Sequence, residues 1–315
     1  MGIGNMINNG KGNGIDNKHN SKADFVPTMF CSEVPKYKLD DLILPLSIKD
    51  KILDVAEYAE NSRIVFETWG FDKTHKYSRR VGINFYGEPG TGKTMAAHAL
   101  ADYLGRKILI VNYAELESKY VGETPKNIKK VFEIAKETNS ILFFDEADAI
   151  LSKRVTNMNN ATDVSVNQTR SVLLMLLNDF QDYIIFATNF IENFDSAFMR
   201  RISMHVKFEL PDKECRLKLW RRYTPYSLPN NIDFEELAEK YTGISGSDIS
   251  TAMLNAAFKA ARKKQGYLDK ELVFEAVQDI LSSKEANQKG VVKTERRVVS
   301  ESYVKQQLEK NDVEE

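Results

Sequence analysis

Apolar and polar residues follow two alternating patterns through the middle of the chain. Runs of consecutive apolar residues predict buried strands, and stretches in which apolar residues recur every three or four positions predict helices. The predicted strands lie at 81–86, 107–112, 141–144, 183–188 and 205–210, and the predicted helices between them lie at 95–104, 124–135 and 166–180. Continuous apolar strands that alternate with helices predict an α/β fold, in which a parallel sheet has helices on both faces.

Beyond residue 211 the strand pattern ends and helical patterns follow, which predicts a small helical domain. These patterns lie at 212–222, 233–241, 247–264 and 269–283. Before the third of them, Ser245 and Asp248 stand at the spacing of a capping box. The predicted apolar stripe of this helix consists of Ile249, Met253, Leu254, Ala257, Phe258 and Ala261.

The two ends of the chain differ in composition from its middle. Residues 1–24 are rich in Asn and Gly without periodicity, and the last thirty or so residues are highly charged. We therefore predict four parts. They are a disordered tail (1–35), a large α/β domain (36–211), a small helical domain (212–285) and a charged C-terminal tail (286–315).

The overall composition is that of a soluble globular protein. Of 315 residues, 42% are hydrophobic and 28% are charged, and the net charge of −1 gives no basic field that would favour nucleic acid. Cys31 and Cys215 lie far apart without metal-site spacing, so a reducing compartment and structural burial are expected. Apolar runs are shorter than a membrane span and no leader pattern begins the chain, so we expect a cytoplasmic protein without a membrane partner.

A glycine-rich segment between the first predicted strand and its helix carries the strongest chemical signal. It reads Gly87-Glu88-Pro89-Gly90-Thr91-Gly92-Lys93-Thr94 and matches the phosphate-binding loop of nucleoside triphosphatases. Backbone N–H groups of such a loop point at phosphate oxygens, Lys93 reaches the β- and γ-phosphates, and the Thr94 hydroxyl ligates Mg²⁺. The residues predicted to bind the nucleotide are Gly87, Glu88, Pro89, Gly90, Thr91, Gly92, Lys93, Thr94 and Met95.

Two acidic residues, Asp145 and Glu146, follow the predicted strand at 141–144. Ligands of parallel α/β sheets bind at the carboxyl ends of the strands. Asp145 is therefore predicted to face the Mg²⁺ held by Thr94. Glu146, one residue further on, is the candidate general base for an attacking water.

Together the phosphate loop and the segment Asp145-Glu146-Ala147-Asp148-Ala149-Ile150 resemble the AAA family of ATPases, over about residues 36–283. The resemblance implies ATP and Mg²⁺ as cofactors. It also implies that Asn189, at the end of the strand at 183–188, is the family's sensor 1 residue, which helps to place the water. The alternative for Asn189 is an asparagine that only caps a turn.

Arg200 and Arg201 lie in a stretch similar to the family's second region of homology, from which an arginine enters the neighbouring subunit's site. Paired arginines resemble the katanin and spastin branch. We expect both to contribute to catalysis. A residue supplied by a neighbour requires assembly, and the resemblance implies a hexameric ring. The alternative is a pair of solvated surface arginines.

The segment 117–124 resembles the family's first pore loop, with Tyr120 and Val121 as the residues that grip an extended polypeptide. The alternative is that both side chains belong to the core at the start of the next helix. A polar stretch at 157–163 stands where a second pore loop would lie.

Residues 241–248 are similar to the family's helical-domain signature, in which Gly-Ala-Asp contacts the nucleotide; here Ser247 replaces the alanine, and the backbone contact should survive. Residues 39–44 occupy the place of the family's adenine contact but lack its glycines. None of the four histidines is followed by Glu, so the His-Glu-x-x-His pattern of zinc proteases is absent from this sequence, and His98 is expected to be packed core.

Two functions follow from these features. The favoured one is ATP-driven remodelling or unfolding of a protein client, which is threaded through the pore of a ring. The alternative is a nucleic-acid-directed ATPase, such as a loader or a transposition helper, supported only by the basic clusters at 73–80 and 262–264. We expect no folded client-binding domain before the core, because the residues there are few and polar. This plain architecture resembles members that act on HORMA-domain proteins in bacterial antiviral signalling, and also some sporulation and rubisco-activating relatives. The choice among them rests on analogy.

Overall fold

A five-stranded parallel sheet forms the centre of the protein. The computed structural model describes residues 30–75, 81–112, 124–152, 161–189 and 194–289. Within these ranges the sheet order is β2-β3-β4-β1-β5 and every pairing is parallel. The strands are β1 (Val81–Gly87), β2 (Lys107–Asn112), β3 (Ser140–Asp145), β4 (Tyr183–Thr188) and β5 (Met204–Phe208).

The helices of the described residues are numbered in chain order. Those of the α/β part are α1 (Leu46–Arg63), α2 (Lys93–Tyr103), α3 (Thr124–Glu137), α4 (Asp148–Leu151), α5 (Ala161–Asp179) and α6 (Ser196–Met199). Those that follow β5 are α7 (Lys213–Arg222), α8 (Phe234–Lys240), α9 (Gly246–Arg262) and α10 (Lys270–Lys289). A short 3₁₀ turn (Leu39–Asp41) precedes α1, which continues into a π-helical turn (Ile64–Thr68).

Both faces of the sheet are covered at its inner strands, which is why β3 and β4 consist of nearly continuous apolar runs. The edge strand β5 instead contains His205 and Lys207 and has an exposed position. On one face, side chains such as Ile83 and Phe85 of β1 pack with residues of α1 and α2. On the other face, Phe144 of β3 and Phe186 of β4 stack with ring centroids 5.4 Å apart, in a core shared with α3 and α5. The predicted α/β fold is therefore confirmed.

The helical region after β5 has a core of its own, built around Trp220, Leu237 and Val273. The apolar stripe predicted for α9 was wrong in part. Its buried face is made of Ile249, Ala252, Met253, Ala256 and Ala260. Leu254 and Phe258 are 59% and 68% exposed, and Ala261 is exposed as well. The helix packs on α7 and α10 through a face rotated away from the predicted one.

Several boundaries differ from the sequence-based ones. Helix α5 begins at Ala161, five residues before the predicted start, and α10 continues to Lys289, inside the segment that was assigned to a C-terminal tail. At the other end, Glu33 forms an antiparallel bridge with Ile108 of β2, so the chain joins the sheet before residue 36. No helix in the described ranges has the length and apolarity that crossing a membrane needs.

The two cysteines have different surroundings, although burial was expected of both. Cys31 is exposed, and Cys215 is buried on α7. Burial and the neighbouring Asp212 raise the pKa of the Cys215 thiol to about 12. Cys215 therefore stays protonated and serves packing, as predicted, whereas the expectation was wrong for Cys31.

Candidate functional site

The order of the strands brings the predicted site residues to one edge of the sheet. Strand β4 lies between β3 and β1. In a parallel sheet the carboxyl ends of neighbouring strands share an edge. The phosphate loop after β1, Asp145 at the end of β3 and Asn189 after β4 are therefore neighbours, although the sequence separates them widely.

The phosphate loop curls because its three glycines adopt backbone angles that other residues avoid. Gly87, Gly90 and Gly92 have φ values of +140°, +75° and +100°. A Cβ atom added to Gly87 would lie 2.0 Å from the carbonyl oxygen of Phe208 in β5. Strand β1 therefore passes into the loop where only a glycine fits.

A Gly87→Ala substitution is expected to destabilise the fold strongly. The strained φ and the overlap with the Phe208 carbonyl should together lower the free energy of unfolding by about 3 kcal/mol or more. Gly105→Ala is the matched control, because Gly105 also has a left-handed φ (+63°) but no atom within 4 Å of an added Cβ. It should cost about 1 kcal/mol. Thermal unfolding of the two variants measures the difference, and equal melting temperatures would contradict the tight approach.

Lys93 is held at the centre of the site by three oxygen acceptors. Its Nζ donates to the carbonyls of Gly87 (2.7 Å) and Glu88 (3.0 Å) and to Oδ1 of Asn189 (3.1 Å). Burial lowers the pKa of the Lys93 ammonium, and the carboxylates of Asp148 and Asp145 act in the opposite direction. The loop thus presents a fixed cation beside its backbone N–H groups, an arrangement that suits a phosphate.

Thr94 and Asp145 form the oxygen pair expected of a magnesium site. The Thr94 hydroxyl donates to Oδ2 of Asp145 at 3.0 Å, and the backbone N–H of Glu146 donates to Oδ1 at 3.0 Å. No cluster of three or more His, Cys, Asp or Glu side chains suited to a metal is found among the described residues. A hydroxyl and one carboxylate fit Mg²⁺, which keeps waters and takes its other ligands from substrate phosphates.

Glu146 stands directly after this pair in an unusual backbone conformation. Its φ is +51°, in the left-handed region that non-glycine residues seldom adopt, and its side chain is exposed. The residue after it, Ala147, returns to the sheet by donating its N–H to the carbonyl of Ala187 in β4. The strained turn therefore places an exposed carboxylate beside the Thr94–Asp145 pair.

Asn189 is oriented by a residue to which the sequence analysis gave no role. The backbone N–H of Asn189 donates to both carboxylate oxygens of Asp148, at 3.1 and 3.2 Å. This leaves the Asn189 side chain to contact Lys93. The feature of the sequence that could have predicted this role is the position of Asp148, three residues after Asp145 in the acidic motif.

A cavity of about 640 Å³ opens beside the phosphate loop. Residues 90–95 of the loop and of α2 line one side, and Leu42, Ile43 and Leu44 line another. These apolar residues lie where an adenine contact was expected. Their side chains line the cavity at the positions where the family's glycines are missing. Gly87, Glu88 and Pro89 do not line the cavity. The carbonyls of Gly87 and Glu88 accept from Lys93 instead, and the Glu88 carbonyl also accepts from the Thr91 hydroxyl.

The helical region closes this cavity from the side of α9. The N–H of Ser247 donates to the carbonyl of Gly90 at 3.2 Å, and Gly246 and Ser247 line the cavity. Asp248 instead completes the capping box with Ser245 and accepts from Lys284 of α10. The predicted backbone contact therefore lies at the site, while the Asp248 carboxylate serves the helix end.

The two arginines lie at the opposite edge of the sheet from the phosphate loop. Ser203, two residues after Arg201, donates its N–H to the carbonyl of Gly82 at 2.8 Å, and a Cβ on Gly82 would lie 2.8 Å from the carbonyl oxygen of Arg201. Gly82 is the second residue of β1 and Gly87 is the last, so the arginine turn is about 16 Å from the loop along the strand. Arg200 is exposed, while Arg201 donates to the carbonyl of Ala197 (2.8 Å) and to a side-chain oxygen (2.9 Å).

The predicted pore residues Tyr120 and Val121 lie outside the described residues, as do positions 157–160 of the second loop. Positions 161–163, which were assigned to that loop, belong to α5.

The fold and this loop geometry agree with a known family. Residues 83–210 match the ATPase family associated with various cellular activities (AAA). The chain contains an AAA ATPase domain.

Curated relatives extend the similarity beyond that domain. The chain is 31% identical over 251 residues to a 26S proteasome regulatory subunit 8 homolog of Schizosaccharomyces pombe. These aligned residues cover 77% of this chain and 61% of the relative. It is 29% identical over 282 residues to a proteasome-activating nucleotidase of Methanopyrus kandleri (86% and 62%). It is 31% identical over 239 residues to an ATP-dependent zinc metalloprotease of Thermoanaerobacter (73% and 46%). The chain thus spans at most about three fifths of the length of these relatives.

Proposed function

We propose that this protein hydrolyses ATP with Mg²⁺ and uses the energy to remodel or unfold a protein client as an oligomeric ring with a central pore. The observation that carries the proposal is the contact of Lys93 with Asn189 beside the contact of Thr94 with Asp145. Four side chains from three separate strand ends meet where a triphosphate and its metal would need them.

In this proposal each side chain has one task. Lys93 and the N–H groups of the phosphate loop bind the phosphates, and Thr94 and Asp145 hold the metal. Mg²⁺, when bound, supplies neutralisation of charge on the phosphate oxygens. Glu146 accepts the proton of the attacking water, and Asn189 orients that water. Asp148 keeps Asn189 in place through its backbone N–H.

The position of the arginines supports a site shared between subunits. Both lie about a strand's length from the phosphate loop of their own chain. Among the described residues that line the cavity, the single arginine is Arg222, and it donates to Asp41 at 2.9 Å. A catalytic arginine would then come from a neighbour in a heterologous ring, hexameric by family resemblance. We assign the projecting role to exposed Arg200, and a supporting role to Arg201, which already holds Ala197.

The names of two relatives support a protein client. One is named a 26S proteasome regulatory subunit 8 homolog and the other a proteasome-activating nucleotidase, so both names refer to the proteasome. The net charge of −1 adds no attraction for nucleic acid. The arginine pair resembles that of the katanin and spastin branch, and a HORMA-domain protein is our candidate client. The neighbouring genes test this choice, because a HORMA-domain gene beside this one would support it.

A Tyr120→Ala variant is expected to separate ATP hydrolysis from work on protein. In the wild type, a permanently unfolded polypeptide such as reduced, carboxymethylated lactalbumin should stimulate ATP turnover. In the variant, basal turnover should stay within about twofold while the stimulation is lost, because a ring that grips substrate needs the aromatic side chain and a ring that only hydrolyses ATP does not. Turnover measured with and without the polypeptide gives the result.

Tyr226→Ala is the matched control, since Tyr226 is a fully exposed tyrosine of the helical region. The unfolded polypeptide should stimulate the ATP turnover of Tyr226→Ala as strongly as that of the wild type. Stimulation by the polypeptide that persists in Tyr120→Ala would contradict the gripping role. Several-fold stimulation by duplex DNA at moderate salt, without any by the polypeptide, would favour the nucleic-acid-directed alternative.

A further inference from the structure

One segment before α1 connects the sheet edge with the nucleotide cavity. We call residues 33–37 the edge segment. Glu33 exchanges two backbone hydrogen bonds with Ile108 of β2, of 2.8 and 3.0 Å. Three and four residues later, Lys36 and Tyr37 line the cavity beside the phosphate loop. The edge segment thus starts on the outer strand and ends at the candidate site.

His98 holds this segment through contacts with three of its residues. Its Nδ1 accepts from the backbone N–H of Lys36 at 3.3 Å, and the ring of Tyr37 meets the imidazole edge-on, with centroids 5.8 Å apart at 81°. The Nε2 atom lies 3.9 Å from a carboxylate oxygen of Glu33. Since Nδ1 accepts, the imidazole is neutral and carries its proton on Nε2, toward Glu33.

His98 is placed on the same helix that binds phosphate. Helix α2 begins at Lys93, so His98 lies about 7.5 Å further along a rigid element. Its side chain is 3% exposed and is surrounded along the helix by Ala96, Ala97 and Ala99. His98 does not line the cavity, so any effect on a ligand passes through Lys36 and Tyr37. A buried polar ring with its contacts directed at one segment has the geometry of a support.

We propose that His98 is a positioning residue that holds Lys36 and Tyr37 at the nucleotide cavity and thereby sets how tightly the nucleotide is retained. The inference rests on the proposed nucleotide site. It adds a determinant of affinity that is not part of the phosphate loop and that acts through the cavity residues Lys36 and Tyr37. Loss of the support should therefore change binding of ATP and ADP alike, and leave the chemical step nearly unchanged.

Two substitutions at position 98 test the role of the acceptor atom. His98→Leu removes the acceptor and keeps an apolar side chain of moderate size, whereas the Oδ1 atom of His98→Asn stands close to the place of Nδ1. In the full-length protein, a fluorescent ATP analogue and its ADP counterpart report the dissociation constants. We expect His98→Leu to weaken both about tenfold and to raise KM similarly, with kcat within about twofold. His98→Asn should recover affinity to within about threefold of the wild type.

A variant of the edge segment tests the same hydrogen bond from its other end. Lys36→Pro lacks the N–H that His98 accepts, and Lys36→Ala keeps it and reports the loss of the side chain alone. If the bond is the link, the double variant Lys36→Pro/His98→Leu binds no more weakly than either single variant. Thermal unfolding without nucleotide identifies a variant that has lost its fold. If the variant at one of the two positions, 36 or 98, is unfolded, the folded variant at the other position decides whether the hydrogen bond supports nucleotide binding.

The outcomes separate this inference from the proposed function. A folded His98→Leu protein that binds nucleotide like the wild type overturns the positioning role, as do fully additive effects in the double variant. Failure of the wild type to bind nucleotide more tightly than Lys93→Ala would instead remove the proposed site, and the inference with it.

Discussion

Glu146→Gln is expected to bind ATP normally and to hydrolyse it about 10²- to 10⁴-fold more slowly than the wild type. Gln has the size of Glu and remains in the exposed, left-handed turn after β3, but it cannot accept a proton at neutral pH. The Thr94–Asp145 pair is untouched, because Asp145 receives the backbone N–H of residue 146 and not its side chain. Single-turnover hydrolysis and the dissociation constant of ATP measure the two effects separately.

The control for this experiment removes the same charge elsewhere. Glu57 lies on the exposed side of α1, and the ATP turnover of Glu57→Gln should equal that of the wild type. Loss of ATP binding in Glu146→Gln, or turnover within about threefold of the wild type, would contradict the assignment of Glu146 as the general base.

Arg200→Ala is expected to lower kcat by about 10³-fold or more while nucleotide affinity changes little. Arg200 is exposed and makes no contact that the fold requires among the described residues, so the melting temperature should stay within about 2 °C. Arg201→Ala should behave differently, since it deletes the hydrogen bonds to the Ala197 carbonyl and to a side-chain oxygen. That loss should lower the free energy of unfolding by about 1–2 kcal/mol.

Mixing two inactive proteins tests whether the arginine acts between subunits. Arg200→Ala keeps Glu146, and Glu146→Gln keeps Arg200. Where an Arg200→Ala subunit receives Arg200 from a neighbouring Glu146→Gln subunit, the shared site contains both Glu146 and Arg200. The mixture should therefore regain measurable ATP turnover. Arg262→Ala, an exposed arginine of α9, is the control and should be fully active. A mixture as inactive as its components would count against a shared site.

Signals that lie within a few consecutive residues carried most of the successful predictions. Apolar runs identified β3 and β4 because both faces of the sheet are buried there, which makes most positions of these strands apolar. The phosphate loop was recognisable because eight adjacent residues perform one task. Asp145 and Asn189 could be predicted because each directly follows a strand, and parallel strands end at a common edge.

The helix α9 shows where periodicity was insufficient. Its apolar residues cover more than half of the helix circumference. Two overlapping sets of residues therefore both recur every three or four positions, and either set could be the buried face. The stripe containing Leu254 and Phe258 was as regular as the true one. Packing against α7 and α10 selected the face of Ala252, Ala256 and Ala260, since small side chains let helices approach closely.

The sequence by itself determined the elements, the phosphate loop and the identity of the acidic pair, because those depend on neighbouring residues. The tertiary structure decided which distant groups meet. Asp148 binds the backbone of Asn189 41 positions later, and His98 binds the backbone of Lys36 62 positions earlier. A hydrogen bond to a backbone N–H requires no particular residue type from its partner, so it leaves no pattern in the sequence. Only the folded chain shows that Asp148 holds Asn189 and that His98 holds Lys36.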